Sequence, residues 1–219
     1  MPDLAPQAAR FAEDIQQLVN GTVCDGITIR ATVIDRSRML VGHGLAKDEL
    51  VSKPFRMRIG RGRPYGWLDV SYRLSLDSEG SYLMVVSSYF GVYATEEPDS
   101  MLCHFDYERG KSGGYPEAHV QVGGQSAALA SWRLTNDTTG RALHDLHFPV
   151  GGRRYRPTLE DVIEFLIVEK LAAPRRNWQK VLNASRDEFR KRQLRAAIRR
   201  DMPTAMQAVK DFSSGSTST

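Results

Sequence analysis

The chain has 219 residues, of which 41% are apolar and 26% charged, with a formal net charge of +4. This composition excludes collagen-like, mucin-like and fully disordered chains, and the length suits one domain, with or without a small appendage. Two cysteines, Cys24 and Cys103, are too few for a disulfide-stapled secreted scaffold, and we expect both thiols to be free. Because no apolar leader and no apolar run of membrane-spanning length is visible, we expect a cytoplasmic protein that does not contact membranes.

The predicted elements begin with a helix and continue with strands. Residues 6–20 show helical spacing of apolar positions, and Asn20-Gly21 predicts the end of that helix. From residue 27 the period changes to two, which predicts strands over residues 27–34, 55–59, 68–76, 82–93, 101–108 and 117–122. The short spacing and the turn residues between these segments favour an antiparallel sheet, for which we expect about five to seven strands.

Helical periodicity returns after residue 152. Thr158 followed by Asp161 predicts a capped helix start, and the apolar positions up to Leu171 predict that this helix lies on the sheet. Asn177 is placed to cap a second, basic helix. The predicted fold is therefore α+β, an antiparallel β-sheet with an N-terminal helix and two C-terminal helices, one packed on the sheet. Its predicted divisions are an α+β domain, a basic helical appendage and a disordered tail, over residues 1–172, 173–212 and 213–219.

Positive charge is concentrated near the end of the chain. Residues 175–200 hold ten Lys and Arg against two acids, so this segment carries +8 and the rest of the chain −4. The apolar positions of this helix do not form one stripe, so we expect six basic residues to project from the fold: Arg190, Lys191, Arg192, Arg195, Arg199 and Arg200. The predicted binding residues among them are four arginines: Arg190, Arg192, Arg195 and Arg199. They predict a surface for RNA or DNA or for an acidic protein, and a contact with this chain's own acidic body or a homodimer would also satisfy them.

Four histidines fall within 44 residues: His104, His119, His144 and His147. If residues 101–108 pair with residues 117–122, alternation places four polar side chains on one face of the sheet: His104, Asp106, Glu117 and His119. A histidine beside a carboxylate suits acid–base catalysis near neutral pH. A solvated sheet face carries the same residue types, so that interpretation stays open.

Neither a metal site nor a cofactor is predicted. His144 and His147 lie where apolar alternation predicts a strand, and residues three apart on a strand face opposite ways. A P-loop motif is absent. Residues 150–158 hold two glycines and three arginines before the predicted helix, a combination that can bind a phosphate through Arg153, Arg154 and Arg156. An exposed basic loop has the same composition.

The segments His104-Phe105-Asp106-Tyr107 and Pro116-Glu117-Ala118-His119-Val120-Gln121, followed by a helix, resemble uncharacterised actinobacterial proteins. They are more distantly similar to small toxin-like proteins of bacterial toxin–antitoxin modules, which carry an aromatic-Asp strand followed by a Pro- and His-rich strand. The resemblance covers residues 101–170, with fewer histidines than the toxin pattern and a chain about twice as long. It implies a toxin or nuclease role.

Two functions follow from these patterns. The first is a non-catalytic bacterial interaction protein whose basic C-terminal helix binds nucleic acid or an acidic partner. We rank it slightly ahead because it requires fewer specific residue arrangements. The alternative is a metal-independent, RNA-cleaving, toxin-like enzyme. In that enzyme His104 and His119 would be acid and base, Asp106 or Glu117 would orient them, and Arg153 and Arg154 would bind phosphate. Convergence of His104, His119 and Arg153 in space separates the hypotheses, because the enzyme loses its hydrogen-bonding geometry if they lie more than about 10 Å apart.

Overall fold

The computed structural model describes residues 3–58, 66–127, 129, 142–151 and 156–215. In chain order, the described helices are α1 (Leu4–Thr22), α2 (Leu159–Val168), α3 (Trp178–Arg200) and α4 (Met202–Gly215). The strands are β1 (Ile29–Asp35), β2 (Arg38–His43), β3 (Phe55–Arg56), β4 (Trp67–Leu76), β5 (Leu83–Tyr93), β6 (Met101–Glu108), β7 (Ala118–Val122) and β8 (Phe148–Pro149).

The strands form one antiparallel sheet in the order β1-β2-β4-β5-β6-β7-β8, with β3 paired to β4. The predicted α+β class, with its antiparallel sheet and flanking helices, is confirmed. The sheet has eight strands rather than the expected five to seven, because β2 escaped prediction. Met39, Leu40 and Val41 are all buried, so β2 is covered on both faces and shows no alternation of apolar and polar residues.

Helix α1 packs along one face of the sheet. Its buried residues, among them Ala8, Ile15 and Leu18, share a core with alternate residues of β4 such as Leu68 and Leu74. The predicted end at Asn20-Gly21 is wrong, since the helix runs to Thr22. The Asn20 side chain instead hydrogen-bonds the backbone N–H and carbonyl of Ile27, which ties the end of α1 to the start of the sheet.

Gly21 has a packing role rather than a capping role. A Cβ built at this position would lie 2.8 Å from Val181 Cγ1 on α3. The missing side chain therefore lets α3 approach α1 closely.

Helix α2 begins as predicted. The Thr158 side chain accepts a hydrogen bond from the Asp161 N–H, and the Asp161 carboxylate accepts one from the Thr158 N–H. Its buried face joins the same core, and the Phe165 ring meets Phe105 of β6 at 6.3 Å between centroids. The helix ends at Val168, three residues before the predicted Leu171.

The predicted appendage packs on the body over its first part. Leu182 is 1% exposed within the core, and Trp178 and Val181 pack against that core. Asn177 precedes α3 as predicted, but its backbone is left-handed and its side chain makes no capping hydrogen bond. A third C-terminal helix, α4, was not predicted. Ser213 and Ser214 are helical, whereas the sequence placed them in a disordered tail.

Both cysteines are buried free thiols, as predicted. Burial raises the pKa of Cys24 to about 12 and that of Cys103 to about 11. Within the described part of the chain, every helix is too short or too polar to cross a bilayer.

Candidate functional site

The polar face of the sheet lies opposite the helices. In the β6–β7 ladder, His104 pairs with Gln121 and Asp106 pairs with His119. In the β5–β6 ladder the same two residues oppose Gly91 and Tyr89. Alternation along each strand therefore places these side chains on one face, while Cys103 and Tyr107 face the helices.

Three histidine rings meet on this face. The His119 ring lies 6.2 Å from His104 and 4.7 Å from His147, measured between centroids. Tyr115 lies 4.7 Å from His119 and stacks on His147 at 4.4 Å with an interplanar angle of 10°. We call these four residues, together with Asp106, the histidine cluster.

His119 is the centre of the histidine cluster and is only 2% exposed. Its Nδ1 lies 3.2 Å from the Pro116 carbonyl oxygen, and its Nε2 lies 3.9 Å from Asp106 Oδ2. These two contacts fix the orientation of the ring, and an imidazolium there would form an ion pair with Asp106. His119 is therefore less accessible to solvent than His104 and His147, which are both half-buried.

His104 lies at the side of the histidine cluster that faces β5. Its ring is 5.2 Å from that of Tyr89, and its Nδ1 lies 3.1 Å from Met101 Sδ. Burial lowers the pKa of His104 below its usual range, although Asp106 and Gln121 act in the opposite direction. His104 therefore favours the neutral form, which accepts a proton.

Tyr89 and Tyr93 flank His104 and are joined by a hydrogen bond of 2.6 Å between their hydroxyl groups. Burial raises the pKa of both phenols. Both therefore stay protonated at neutral pH, and one of the two hydroxyl groups donates its proton to the other.

His147 and Tyr115 belong to the site although the sequence did not assign them to it. His119 pairs with Pro149, which brings the chain just before β8 beside β7. The signal was present in the sequence. The apolar residues Leu146 and Phe148 flank His147, so a strand there turns His147 to the opposite, polar face.

A cation stands next to Tyr115. Lys111 Nζ lies 4.3 Å from the Tyr115 ring centroid and donates hydrogen bonds to the Tyr115 hydroxyl and to Glu108 Oε2. The hydrogen bond to Tyr115, with that to Glu108, raises the pKa of Lys111. The ammonium group therefore keeps its charge beside the histidine cluster and can attract an anion.

Two further predicted site residues, Glu117 and Arg156, make contacts with other parts of the chain. Glu117 Oε1 accepts a hydrogen bond of 2.6 Å from the Gly110 N–H, so this carboxylate fastens the β6–β7 connection. The Arg156 guanidinium lies 4.3 Å over the Tyr107 ring, on the helix side of the sheet. The sheet separates Arg156 from the histidine cluster, and its role in phosphate binding stays a prediction. Arg153 and Arg154 lie outside the described residues.

The positive charge of the basic helix, α3, is partly neutralised by contacts within the chain. Arg192 pairs with Asp14 and Glu188, each at 3.2 Å, and the Arg199 guanidinium lies 3.7 Å over the Tyr82 ring. Arg190 and Arg195 are exposed and form no ion pair with a described residue. Two of the four predicted arginines thus contact the body, and two are presented to solvent.

Apolar side chains accompany these arginines at the end of the chain. Met202, Met206, Val209 and Phe212 recur at helical spacing along α4 and are all exposed, Phe212 by 80%. Amphipathic helices normally bury such a face. We call these four residues of α4, together with Arg190 and Arg195 of α3, the C-terminal surface; α4 contributes exposed apolar area and α3 contributes positive charge.

Within the described ranges, no group of three or more His, Cys, Asp or Glu side chains is arranged to hold a metal ion. Comparison of the chain with protein-family models, with curated proteins and with solved structures finds no match. The histidine cluster combines imidazoles, a carboxylate, phenol groups and an adjacent ammonium group. These are the components of general acid–base chemistry on an anionic substrate.

Proposed function

We propose that this protein is an acid–base enzyme that cleaves RNA without needing a metal ion. The observation that carries the proposal is the convergence of three histidines on one sheet face. The centroid of the His119 ring lies 6.2 Å from that of His104 and 4.7 Å from that of His147. Two half-buried imidazoles flank a buried one, so a base and an acid are available on either side of a fixed centre.

His104 acts as the base and His147 as the acid. Neutral His104 removes the proton of a ribose 2′-hydroxyl, and the resulting oxygen attacks the adjacent phosphorus. The bond between phosphorus and the 5′-oxygen breaks, and His147 gives its proton to that oxygen. The products are a 2′,3′-cyclic phosphate and a free 5′-hydroxyl. His119 is a positioning residue between the two, held by Asp106 and the Pro116 carbonyl.

RNA suits this site because it supplies its own nucleophile. Within the histidine cluster no serine or cysteine is placed to attack, and Cys103 faces the core on the other side of the sheet. Lys111 Nζ, which lies over the Tyr115 ring beside the histidine cluster, can contact a phosphate of the substrate.

The proposal is tested by incubating the full chain with single-stranded RNA in the presence of EDTA. We expect cleavage by the wild type and a loss of about 10²-fold or more in His104→Gln and His147→Gln. His144→Gln is the matched control, because His144 is exposed and lies outside the histidine cluster. Equal activity in all three variants, or activity that EDTA abolishes, would contradict the proposal.

A second candidate function is partner binding by the C-terminal surface. The exposed apolar stripe of α4 favours a protein over a nucleic acid as the partner, because a phosphate backbone has no apolar surface on which these side chains could be buried. Arg190 and Arg195 favour an acidic partner. This function is compatible with catalysis, since the two surfaces lie on different elements.

A further inference from the structure

A cavity of about 440 Å³ lies between the sheet and the helices, on the opposite side of the sheet from the histidine cluster. Its walls come from α1, β4, β5, the start of α2, and α3 between Lys180 and Arg192. Most of the wall is apolar, with contributions from Ile15, Leu18 and Val85. The volume falls in the range of small-molecule binding sites.

Contacts on both sides of the cavity hold α3 in place above it. At one end, Val181 of α3 packs closely against Gly21 of α1, which has no side chain. At the other end, Arg192 of α3 forms an ion pair of 3.2 Å with Asp14 of α1. Arg186 adds ion pairs to two carboxylates of α2. The cavity thus lies between helices whose relative positions are fixed by contacts.

Aromatic rings line the cavity. The Phe11 ring meets that of Tyr72 edge to face at 4.9 Å between centroids, and Tyr72 meets Phe90 at 5.4 Å. Phe189 of α3 contributes a further ring to the lining. Phe11 and Phe189 are only partly buried, so the chain leaves some of their apolar surface uncovered. A flat aromatic ligand would bury that surface and pack against these rings.

The charges of the lining balance. Among the residues that the structure describes, three acids and three bases line the cavity: Asp14, Glu160, Glu188, Arg156, Lys180 and Arg192. Asp14 and Glu188 both pair with Arg192, each at 3.2 Å. An ionic ligand would lose its hydration here without meeting an excess of opposite charge, so the lining favours a neutral molecule.

Glu160 is the polar group best placed to orient a ligand. It lies in the first turn of α2, lines the cavity and is only 7% exposed. Its Oε1 accepts a hydrogen bond of 2.6 Å from the Ser185 hydroxyl. A carboxylate has about four acceptor positions, so Glu160 can also receive a donor from a ligand. Burial, and to a smaller extent the charge of Glu160, raises the pKa of Tyr72, which agrees with a carboxylate beside the aromatic lining.

We propose that this cavity binds a neutral aromatic molecule that carries one N–H or O–H donor. Its rings lie between α1, α3 and the sheet, and its donor bonds the Glu160 carboxylate. The aromatic lining supplies the apolar contacts, and the balanced charges disfavour an ionic ligand. A molecule of the same shape without the donor would bury the same apolar area but would lose the hydrogen bond.

The test uses two flat probes of the full chain, carbazole and 9-methylcarbazole, in which a methyl group replaces the hydrogen on nitrogen. Fluorescence titration measures both affinities. We expect one carbazole site per chain and binding of 9-methylcarbazole at least about tenfold weaker, because hydrogen bonds to charged groups contribute more than those between neutral groups. Equal affinity for the two probes, or no carbazole binding, would overturn the proposal.

Two variants locate the site. Glu160→Gln keeps the size of the side chain and removes its charge, so the preference for carbazole should fall to about threefold. Ala184 lines the cavity, and Ala184→Phe should weaken both probes at least about fivefold, because the added ring takes space that the ligand would fill.

Asn183→Phe is the matched control. It places the same side chain on the same turn of α3, outside the lining, and should bind both probes as the wild type does. Circular dichroism checks that each variant is folded. If Ala184→Phe binds carbazole as tightly as Asn183→Phe, the cavity is not the site. If Glu160→Gln keeps the full preference for carbazole, the donor is not bound by Glu160.

Discussion

Gly91 lies directly opposite His104 in the β5–β6 ladder, and its missing Cβ leaves the space that two tyrosine rings occupy. A Cβ built on Gly91 would lie 2.6 Å from Tyr93 Cε2 and 2.8 Å from Tyr89 Cε1. Both rings close over the glycine and join through their hydroxyl groups. Gly91 thereby lets the phenols form one side of the environment of His104.

Gly91→Ala should disturb that arrangement. The added methyl forces both rings to move, and overpacking of this kind costs about 1–3 kcal/mol of unfolding free energy. Urea denaturation measures the loss. Tyr93→Phe serves as the comparison, because it removes only the hydroxyl contact and should cost about 1 kcal/mol. A Gly91→Ala protein as stable as the wild type would show that the space around this glycine is not needed.

The pH dependence of RNA cleavage reports on His104. Burial lowers the pKa of His104 below its usual value of 6.5, and the base must be neutral to act. Activity should therefore persist as the pH falls through 6.5 and decline only at lower pH. Because Asp106 acts to raise this pKa, Asp106→Asn should move the acid limb of the kcat/KM profile further down. An acid limb above pH 6.5, or one that Asp106→Asn moves upward, would contradict the assignment.

Leu182→Ala should show that the first part of α3 belongs to the domain. Leu182 is fully buried, and loss of a buried leucine costs about 2–5 kcal/mol. Leu194→Ala on the same helix is the matched control. Leu194 is 62% exposed, so its loss should cost less than about 0.5 kcal/mol. Thermal denaturation separates the two, and equal melting temperatures would mean that α3 folds apart from the body.

The C-terminal surface is tested with a designed acidic amphipathic peptide and with random-sequence oligonucleotides, both at low salt. We expect the peptide to bind and to be weakened by both Phe212→Ser and Arg190→Glu/Arg195→Glu, because the partner uses apolar and charged contacts together. Oligonucleotide binding that the arginine substitutions abolish and Phe212→Ser leaves intact would instead identify a nucleic-acid surface.

Much of this architecture could be predicted from alternation and capping. The period-two segments identified most strands, and Thr158 with Asp161 marked the start of α2. Strand β2 could not be found in this way, because a strand covered on both faces has no alternating signal. The end of α1 was misplaced because the Asn20 side chain bonds the backbone of Ile27, just before β1, and Gly21 makes room for Val181 of α3, which lies far away in sequence.

The candidate site was predictable in part for the same reason. Strand alternation placed His104, Asp106 and His119 on one face, but it could not show that His119 is buried. The His119 ring is covered by Tyr115 and His147, which lie in the connections before and after β7. Arg156 follows two glycines in sequence, yet its side chain lies on the far side of the sheet. Sequence proximity alone could not show on which face of the sheet this guanidinium lies.

The most direct test of the proposed chemistry uses a DNA strand that contains a single ribonucleotide. Only the ribonucleotide carries a 2′-hydroxyl, so the acid–base mechanism predicts one cut, on its 3′ side. The upstream fragment should end in a 2′,3′-cyclic phosphate, which mass spectrometry identifies, and EDTA should not prevent its formation. Cleavage at deoxyribonucleotides, or an upstream fragment that ends in a 3′-hydroxyl, would contradict the mechanism.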